Sequence, residues 1–252
     1  MGDKKKVLFF CEGWGTGGIE SIVLGTVRSQ AFESRGYDFD IFCACDWDTS
    51  LDQEVRQAGG SRRVVLPGVR ASIWKKYRVV PDAFYKYLKS THYDVAHINV
   101  TNKFACLYAC IAKSAGVPTV VVHSHNSGFD EANTYPLAKR IANELGTALV
   151  GYADARIACS EEAASFLFGD LPTKIVRNGV EVSRFKFDPI SRAAVREVLE
   201  IEEKTILVGS IGRIDHVKNP LFQIDVFASM QERVPNMHFL MVGGGSMRVE
   251  VL

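Results

Sequence analysis

The sequence predicts a doubly wound α/β protein built on a parallel sheet, and three observations lead there. Short apolar runs at 7–11, 39–45, 63–66, 95–98, 119–123, 155–159 and 174–176 alternate with amphipathic stretches of helical period. The runs are largely apolar, which suits strands covered by helices on both faces, as parallel strands require. At 252 residues, 47% hydrophobic and 23% charged, the chain has material for one large domain or two smaller ones.

Helices are expected near 18–34, 53–57, 81–90, 103–115, 136–150 and 161–168. Pro81 and Pro136 suit first helical positions, and Ser160 followed by Glu161 and Glu162 reads as a cap with acids in the first turn. Asn178-Gly179 is a turn signal, and the first Rossmann-like domain is expected to span 1–180. A linker follows at 181–200, with a helical segment at 191–199, and then a second α/β unit at 201–252. That unit holds strands at 205–211 and 239–242 and a helix opened by Asn219 as N-cap and Pro220 at its first position. Both strands are apolar enough to need neighbours on each side, and about 50 residues bury such surface poorly. The second domain therefore reads as the first β-α-β part of a larger one, and the chain as a shortened form of a longer two-domain protein.

Charge excludes some classes of function. A net charge of +1 provides no whole-molecule field for nucleic acid, so anion binding must be local. The six cysteines, at 11, 43, 45, 106, 110 and 159, lack paired C-x2-C spacing and read as free buried thiols, with no metal site expected. The start of the chain lacks a secretory core and cleavage site, and no run reaches 18 apolar residues. A cytoplasmic location is expected.

The most informative stretch is Gly209-Ser210-Ile211-Gly212-Arg213, followed by Lys218-Asn219-Pro220. A buried strand there hands two cations to the start of a helix, whose unpaired N–H groups and positive dipole end favour an anion. Arg213 offers a bidentate fork and Lys218 a point charge, a combination suited to a diphosphate. At the first strand exit, Gly13-Trp14-Gly15-Thr16-Gly17-Gly18 matches a dinucleotide fingerprint, with Asp38, Asp40 or Asp46 as the ribose acid. It also matches a loop in which Gly17 and Gly18 alone let backbone approach a ligand. His123 and His125 leave the fifth strand at the sheet's carboxyl edge, where a histidine can bond a sugar hydroxyl or phosphate or carry a proton. Lys75, Lys76 and Arg78, among Trp74, Tyr77, Phe84, Tyr85 and Tyr87, suit either a membrane interface or a solvated amphipathic helix.

Six motifs in register, Gly17-Gly18-Ile19-Glu20, His123-Ser124-His125-Asn126, Ala158-Cys159-Ser160-Glu161, Asn178-Gly179-Val180-Glu181, Gly212-Arg213 with Lys218-Asn219, and Val242-Gly243-Gly244-Gly245, resemble the retaining glycosyltransferases of family 4. The likeness is greatest to the bacterial enzymes of capsular or extracellular polysaccharide synthesis. It implies the GT-B fold, two Rossmann-like domains facing a cleft, and transfer of a sugar from a nucleotide-sugar donor such as a UDP-sugar to a glycan or lipid-linked acceptor. Arg213 and Lys218 match the cations on the donor diphosphate, and no metal cofactor is implied. Gly17 and Gly18 match the glycine loop, and His125, with His123 second, matches the histidine near the transferred sugar. Lys75, Lys76 and Arg78 are candidates for an acceptor or membrane face, at the inner side of the cell membrane. The family's two glutamates eight positions apart lie beyond residue 252, so weak donor binding, or none, is expected of this chain. The rival functions are an NAD(P)-dependent oxidoreductase with Asp46 on the ribose, and a non-catalytic module binding a partner or membrane through 74–89.

Overall fold

Seven parallel strands, β1 (Lys6–Cys11), β2 (Asp38–Cys45), β3 (Ser61–Leu66), β4 (Val95–Val100), β5 (Thr119–Ser124), β6 (Ala155–Ala158) and β7 (Lys174–Ile175), pair in the order β3-β2-β1-β4-β5-β6-β7. The computed structural model describes residues 4–68, 73–128 and 136–252, without the side chains of 73–76, 136, 138–140 and 142. These strands belong to a first unit that ends at Glu181, and a second unit begins at Val182.

Alternation along β1 explains why its run is apolar throughout. Leu8 and Phe10 enter one core with Phe42, Phe84, Ile98 and Tyr108, while Val7, Phe9 and Cys11 enter another with Val23, Val27 and Ile41. Phe10 stacks on Tyr108 at 4.0 Å and lies 5.0 Å from Phe84. The winding starts at β1, runs outward to β3, and returns to β4 on the other side of β1. The strand order thus reverses between β1 and β4, and in such sheets ligands bind outside the carboxyl ends at that point.

The helices depart from the sequence reading at four places. The expected helix 18–34 is two helices, α1 (Gly18–Val27) and α2 (Gln30–Ser34), because Ser29 takes an extended conformation and its side chain accepts from the Phe32 N–H. After α3 (Asp52–Gln57) comes α4 (Ile73–Ser90), which contains Pro81 in its interior. Tyr77, Val80, Phe84, Tyr87 and Leu88 follow one helical face into the core, and that burial outweighs the backbone bond to the Tyr77 carbonyl that proline cannot make. The expected helix 103–115 opens as a 3-10 turn at Lys103–Cys106, capped by Asn102, before α5 (Leu107–Ala115).

Helix α6 (Pro136–Leu145) also passes into a 3-10 turn, Gly146–Tyr152, and α7 (Glu161–Phe168) follows β6. The cap expected at Ser160 is present, its side chain accepting from the Ala163 N–H. Gly146 is where two backbones meet, since a Cβ there would stand 2.4 Å from the Lys103 carbonyl carbon and the Phe104 nitrogen. Neither neighbour can yield without moving the 3-10 turn. Gly146→Ala should therefore lower stability by about 1–3 kcal/mol, as overpacking of a tight contact does, with an equal shift in the urea unfolding curve followed by circular dichroism.

The second unit contains α8 (Pro189–Val198), β8 (Ile206–Ile211), α9 (Pro220–Gln231) and β9 (Met237–Val242), a parallel β-α-β crossover. Asp188 caps α8 by accepting from the Ile190 N–H. Arg196, buried, donates to the carbonyls of Glu202 and Thr205 and fixes the approach to β8. Among the described residues β8 and β9 pair only with each other. Apolar surface of this unit stays open, with Ile211 of β8 87% and Phe222 of α9 62% exposed.

Candidate functional site

The loop after β1 is shaped by its neighbours. Trp14 is fully buried, its N–H donating to the Cys45 carbonyl, and it bridges Asp46 beyond the end of β2. A Cβ at Gly13 would lie 2.5 Å from the Trp47 ring, and one at Gly15 would lie 2.2 Å from its indole nitrogen. Two glycines of the fingerprint therefore make room for tryptophan. Glu20 turns back from the first turn of α1 to accept from the Gly15 N–H at 2.9 Å, and burial raises its carboxyl above the usual range despite that bond. Gly17 and Gly18 are exposed, and a Cβ at Gly18 would meet nothing within 4 Å.

The oxidoreductase reading fails at its acid. Asp46 is buried, bonded to the Arg62 guanidinium at 2.8 Å and accepting from the Gly68 N–H at 2.7 Å, so both oxygens are occupied. Arg62 is further held by Asp52. A carboxylate committed in this way cannot also grip a ribose. Asp40, another of the three candidates, bonds Lys6, Ser61 and Tyr93 on the amino-terminal half of β2, away from the carboxyl edge. Asp38, the third, opens β2 at that same amino end and pairs with Lys4.

Histidines gather where β4 and β5 end. His97 Nε2 lies 3.2 Å from His123 Nδ1, and the His123 and His125 rings are 4.0 Å apart. Asn99, 1% exposed, sets the chemistry of His125. Its Nδ2 donates to the Phe10 carbonyl, which turns Oδ1 toward His125 Nε2 at 2.9 Å. Nε2 must then carry the proton, and Nδ1 is left a bare acceptor. Burial pushes His97 down to about 3, His123 to about 4 and His125 to about 3, and the neighbouring imidazoles depress His97 and His125 further. All three are neutral near pH 7. They offer no cationic charge to a phosphate, and His123 Nε2 and His125 Nδ1 are buried without a partner.

The switch point has its own acid. Glu12, the first residue past β1, accepts from both the N–H and the hydroxyl of Thr101, the first residue past β4, at 3.0 and 2.9 Å. Glu12, Asn99, Thr101 and Trp47 all escaped the sequence reading. The placement of ligand sites beyond strand ends would have picked out Glu12 and Trp47, and a polar residue inside the apolar run of β4 calls for a partner.

In the second unit the carboxyl ends of β8 and β9 run side by side. Ile214 donates to the Gly244 carbonyl and Gly212 to the Val242 carbonyl, and a Cβ at Gly243 or Gly245 would stand 1.9 or 2.0 Å from a backbone oxygen. The glycines at 243 and 245 are thus needed for the Arg213 loop to lie against them. Arg213 and Lys218 are both exposed, and Arg213 Nε lies 3.3 Å from Asp215. The expected cap at Asn219 is corrected: its backbone is left-handed (φ 45°) and its side chain caps nothing, because a 3-10 turn at His216–Lys218 leads into α9 instead.

Of the described aromatic side chains in 77–89, Tyr77, Phe84 and Tyr87 point inward, while Tyr85 is 40% exposed. Phe84 packs on Phe10 and Phe42, Tyr87 on Phe42 and Tyr77 on Phe104, which gives these rings to the core and not to a membrane. Arg78 is exposed, while the side chains of Lys75 and Lys76 lie outside the described residues. Among the described residues no helix is long and apolar enough to cross a membrane, and no group of three His, Cys, Asp or Glu could hold a metal ion.

A doubly wound first unit followed by a β-α-β unit matches the fold of GT-B glycosyltransferases. The Anabaena protein HepE, solved with UDP and glucose, superposes with a TM-score of 0.73 over 98% of this chain and 63% of its own, at 18% identity. The Glycosyl transferase 4-like domain matches residues 17–196, and the chain belongs to that family. It is 25% identical over 257 residues to EpsF of Bacillus subtilis (strain 168), named as a glycosyltransferase, covering 98% of this chain and 64% of EpsF. It is 26% identical over 176 residues to the UDP-Gal:alpha-D-GlcNAc-diphosphoundecaprenol alpha-1,3-galactosyltransferase of Escherichia coli, covering 66% of this chain and 44% of that protein. The chain thus spans less than two thirds of the length of either relative.

Proposed function

We propose that the chain acts in transfer of a hexose, with retention at the anomeric carbon, from a UDP-sugar to a lipid-linked or glycan acceptor during polysaccharide assembly. The observation that carries this reading is the family match over residues 17–196, which takes in the glycine loop at the start of α1 and the histidine exit of β5. Two relatives suggest the substrates. The Escherichia coli protein is named for moving galactose from UDP-Gal to a diphosphoundecaprenol-linked sugar in α-1,3 linkage, and HepE was solved with UDP and glucose. An α product is what retention yields from an α-linked donor.

Roles follow from chemistry. Arg213 and Lys218 bind the donor diphosphate and offset the charge that builds on the departing nucleotide, a task for which two exposed cations suffice without a metal. Gly18 leaves the start of α1 open to a ligand, while Gly17 makes room for the Glu20 carboxylate, 2.6 Å from where a Gly17 Cβ would stand. His125, its tautomer fixed by Asn99, keeps a bare Nδ1 that is buried without a partner, and a sugar hydroxyl that enters there would satisfy it, with His123 behind it. Arg78, which is exposed, binds the acceptor or anionic lipid at the cytoplasmic side of the membrane.

The test offers tritiated UDP-galactose and UDP-glucose with GlcNAc-diphosphoundecaprenol and follows label into the lipid phase, with the new linkage assigned by NMR. Labelled lipid with an α linkage is expected. A β linkage would end the retention claim alone, and absence of label on lipid or glycan acceptors with either donor would end the transfer reading.

A further inference from the structure

We propose that Trp47 is a stacking platform for a pyranose ring, the acceptor's in the transfer reaction; the identity of that sugar as acceptor rests on the function proposed above, the platform itself on geometry. Trp47 sits two residues past β2, on the carboxyl edge of the sheet beside the exit of β1. Its position is fixed twice. The backbone N–H donates to the Trp14 carbonyl at 3.1 Å, continuing the sheet past its last regular pair. The indole lies across the backbone of Gly13 and Gly15, both of which lack the side chain that would displace it.

Despite that seating, 42% of Trp47 is exposed. A large apolar ring that is fixed in place and still open to water calls for a reason, since folding alone gains more by burying it. The rim supplies the polar half of a sugar site. Asp48, the next residue, accepts from the Ser50 N–H at 2.8 Å, and its bonds to Ser50 and then Thr16 hold its carboxyl below the usual range, so it is ionised near pH 7. A pyranose presents a C–H face to an aromatic plane and hydroxyls at its edge, and an indole flanked by a carboxylate meets both. A nucleotide base would also stack, but its phosphates would meet the acids Asp48 and Glu12, while Arg62, the cation next to Trp47's neighbour Asp46, has its side chain buried and already paired with Asp46 and Asp52. The geometry therefore favours a neutral sugar.

Saturation-transfer NMR tests this with methyl α-galactopyranoside, methyl α-glucopyranoside and N-acetylglucosamine at millimolar concentration, and UMP as a fourth probe. At least one sugar should receive saturation on its ring C–H protons. Trp47→Ala should weaken that sugar at least tenfold, Trp47→Phe should retain part of the signal, and Asp48→Asn should weaken it without abolishing it. Urea curves check that each variant is folded, and Trp47→Phe serves if the alanine variant is not. No transfer to any sugar, equal transfer in wild type and Trp47→Ala, or a Trp47-dependent signal from UMP alone would overturn the platform. The lipid-transfer assay separates the two proposals. Transfer with an unchanged acceptor KM in Trp47→Ala removes the platform and leaves the enzyme, whereas Trp47-dependent sugar binding without any transfer leaves the platform and removes the enzyme.

Discussion

UDP should bind about a hundredfold more weakly when Arg213 becomes alanine and about tenfold more weakly when Lys218 does, as charge-assisted hydrogen bonds of roughly 1.5–3 kcal/mol predict. The asymmetry has a structural source. Arg213 carries a planar fork and is already steered by Asp215 at 3.3 Å, while Lys218 is a point charge on a flexible stem at the end of a 3-10 turn. Removing the guanidinium also leaves the Asp215 carboxylate uncompensated beside the phosphates, which adds repulsion to the lost bonds. Arg213→Lys should accordingly recover little, and added salt should weaken wild-type binding because both cations are exposed. A phosphorus-31 titration with UDP reads these differences even when binding is weak. If both single variants bind UDP as wild type does, the loop between β8 and α9 has no diphosphate role.

How much of this was legible from the sequence depends on the kind of signal. The central strands of the first sheet were plain because parallel strands buried on both faces carry largely apolar runs, and even the two-residue edge strand β7 came from Ile175 and Val176. Helix limits were less plain. Pro81 reads locally as a start, yet the core contacts of Tyr77 and Val80 lie one turn earlier and carry α4 back to Ile73. Asn219 reads as a cap by composition, but its left-handed backbone is dictated by the turn before it, which no propensity encodes. The glycine fingerprint is the clearest case. Gly13 and Gly15 answer to Trp47, 34 and 32 residues away in sequence and adjacent only once β1 and β2 pair. A pattern match cannot distinguish a glycine that clears a ligand from one that clears an indole.

Lowering the pH from 7 to 5 should cost the first unit several kcal/mol of stability, with the loss setting in below about 6.5, where unfolded histidine takes up its proton. The sign follows from the direction of the shifts. His97, His123 and His125 have folded-state pKa values near 3, 4 and 3, below the unfolded value, so between about 6.5 and 4 the unfolded chain binds protons that the folded chain refuses. Stability is complete above that window and falls through it. At pH 5 the cost is about 2 kcal/mol for His123, which is 5% exposed, and less for His97 and His125, which keep some contact with solvent. Glu20 acts in the opposite sense, because its raised pKa means that acid relieves a buried charge, and this blunts the slope. Asp40, whose pKa is lowered by Lys6, Ser61 and Tyr93 against the opposing effect of burial, loses its contribution only below the ordinary carboxylate range, outside the histidine window. A total of several kcal/mol is a large share of the roughly 5–15 kcal/mol that holds a typical domain together. Urea midpoints at pH 7, 6 and 5 would read it, and His123→Gln should remove close to one proton from the slope. A midpoint that stays flat from pH 7 to 5 would mean that the imidazoles charge freely in the folded state, and the neutral acceptor assigned to His125 would go with it.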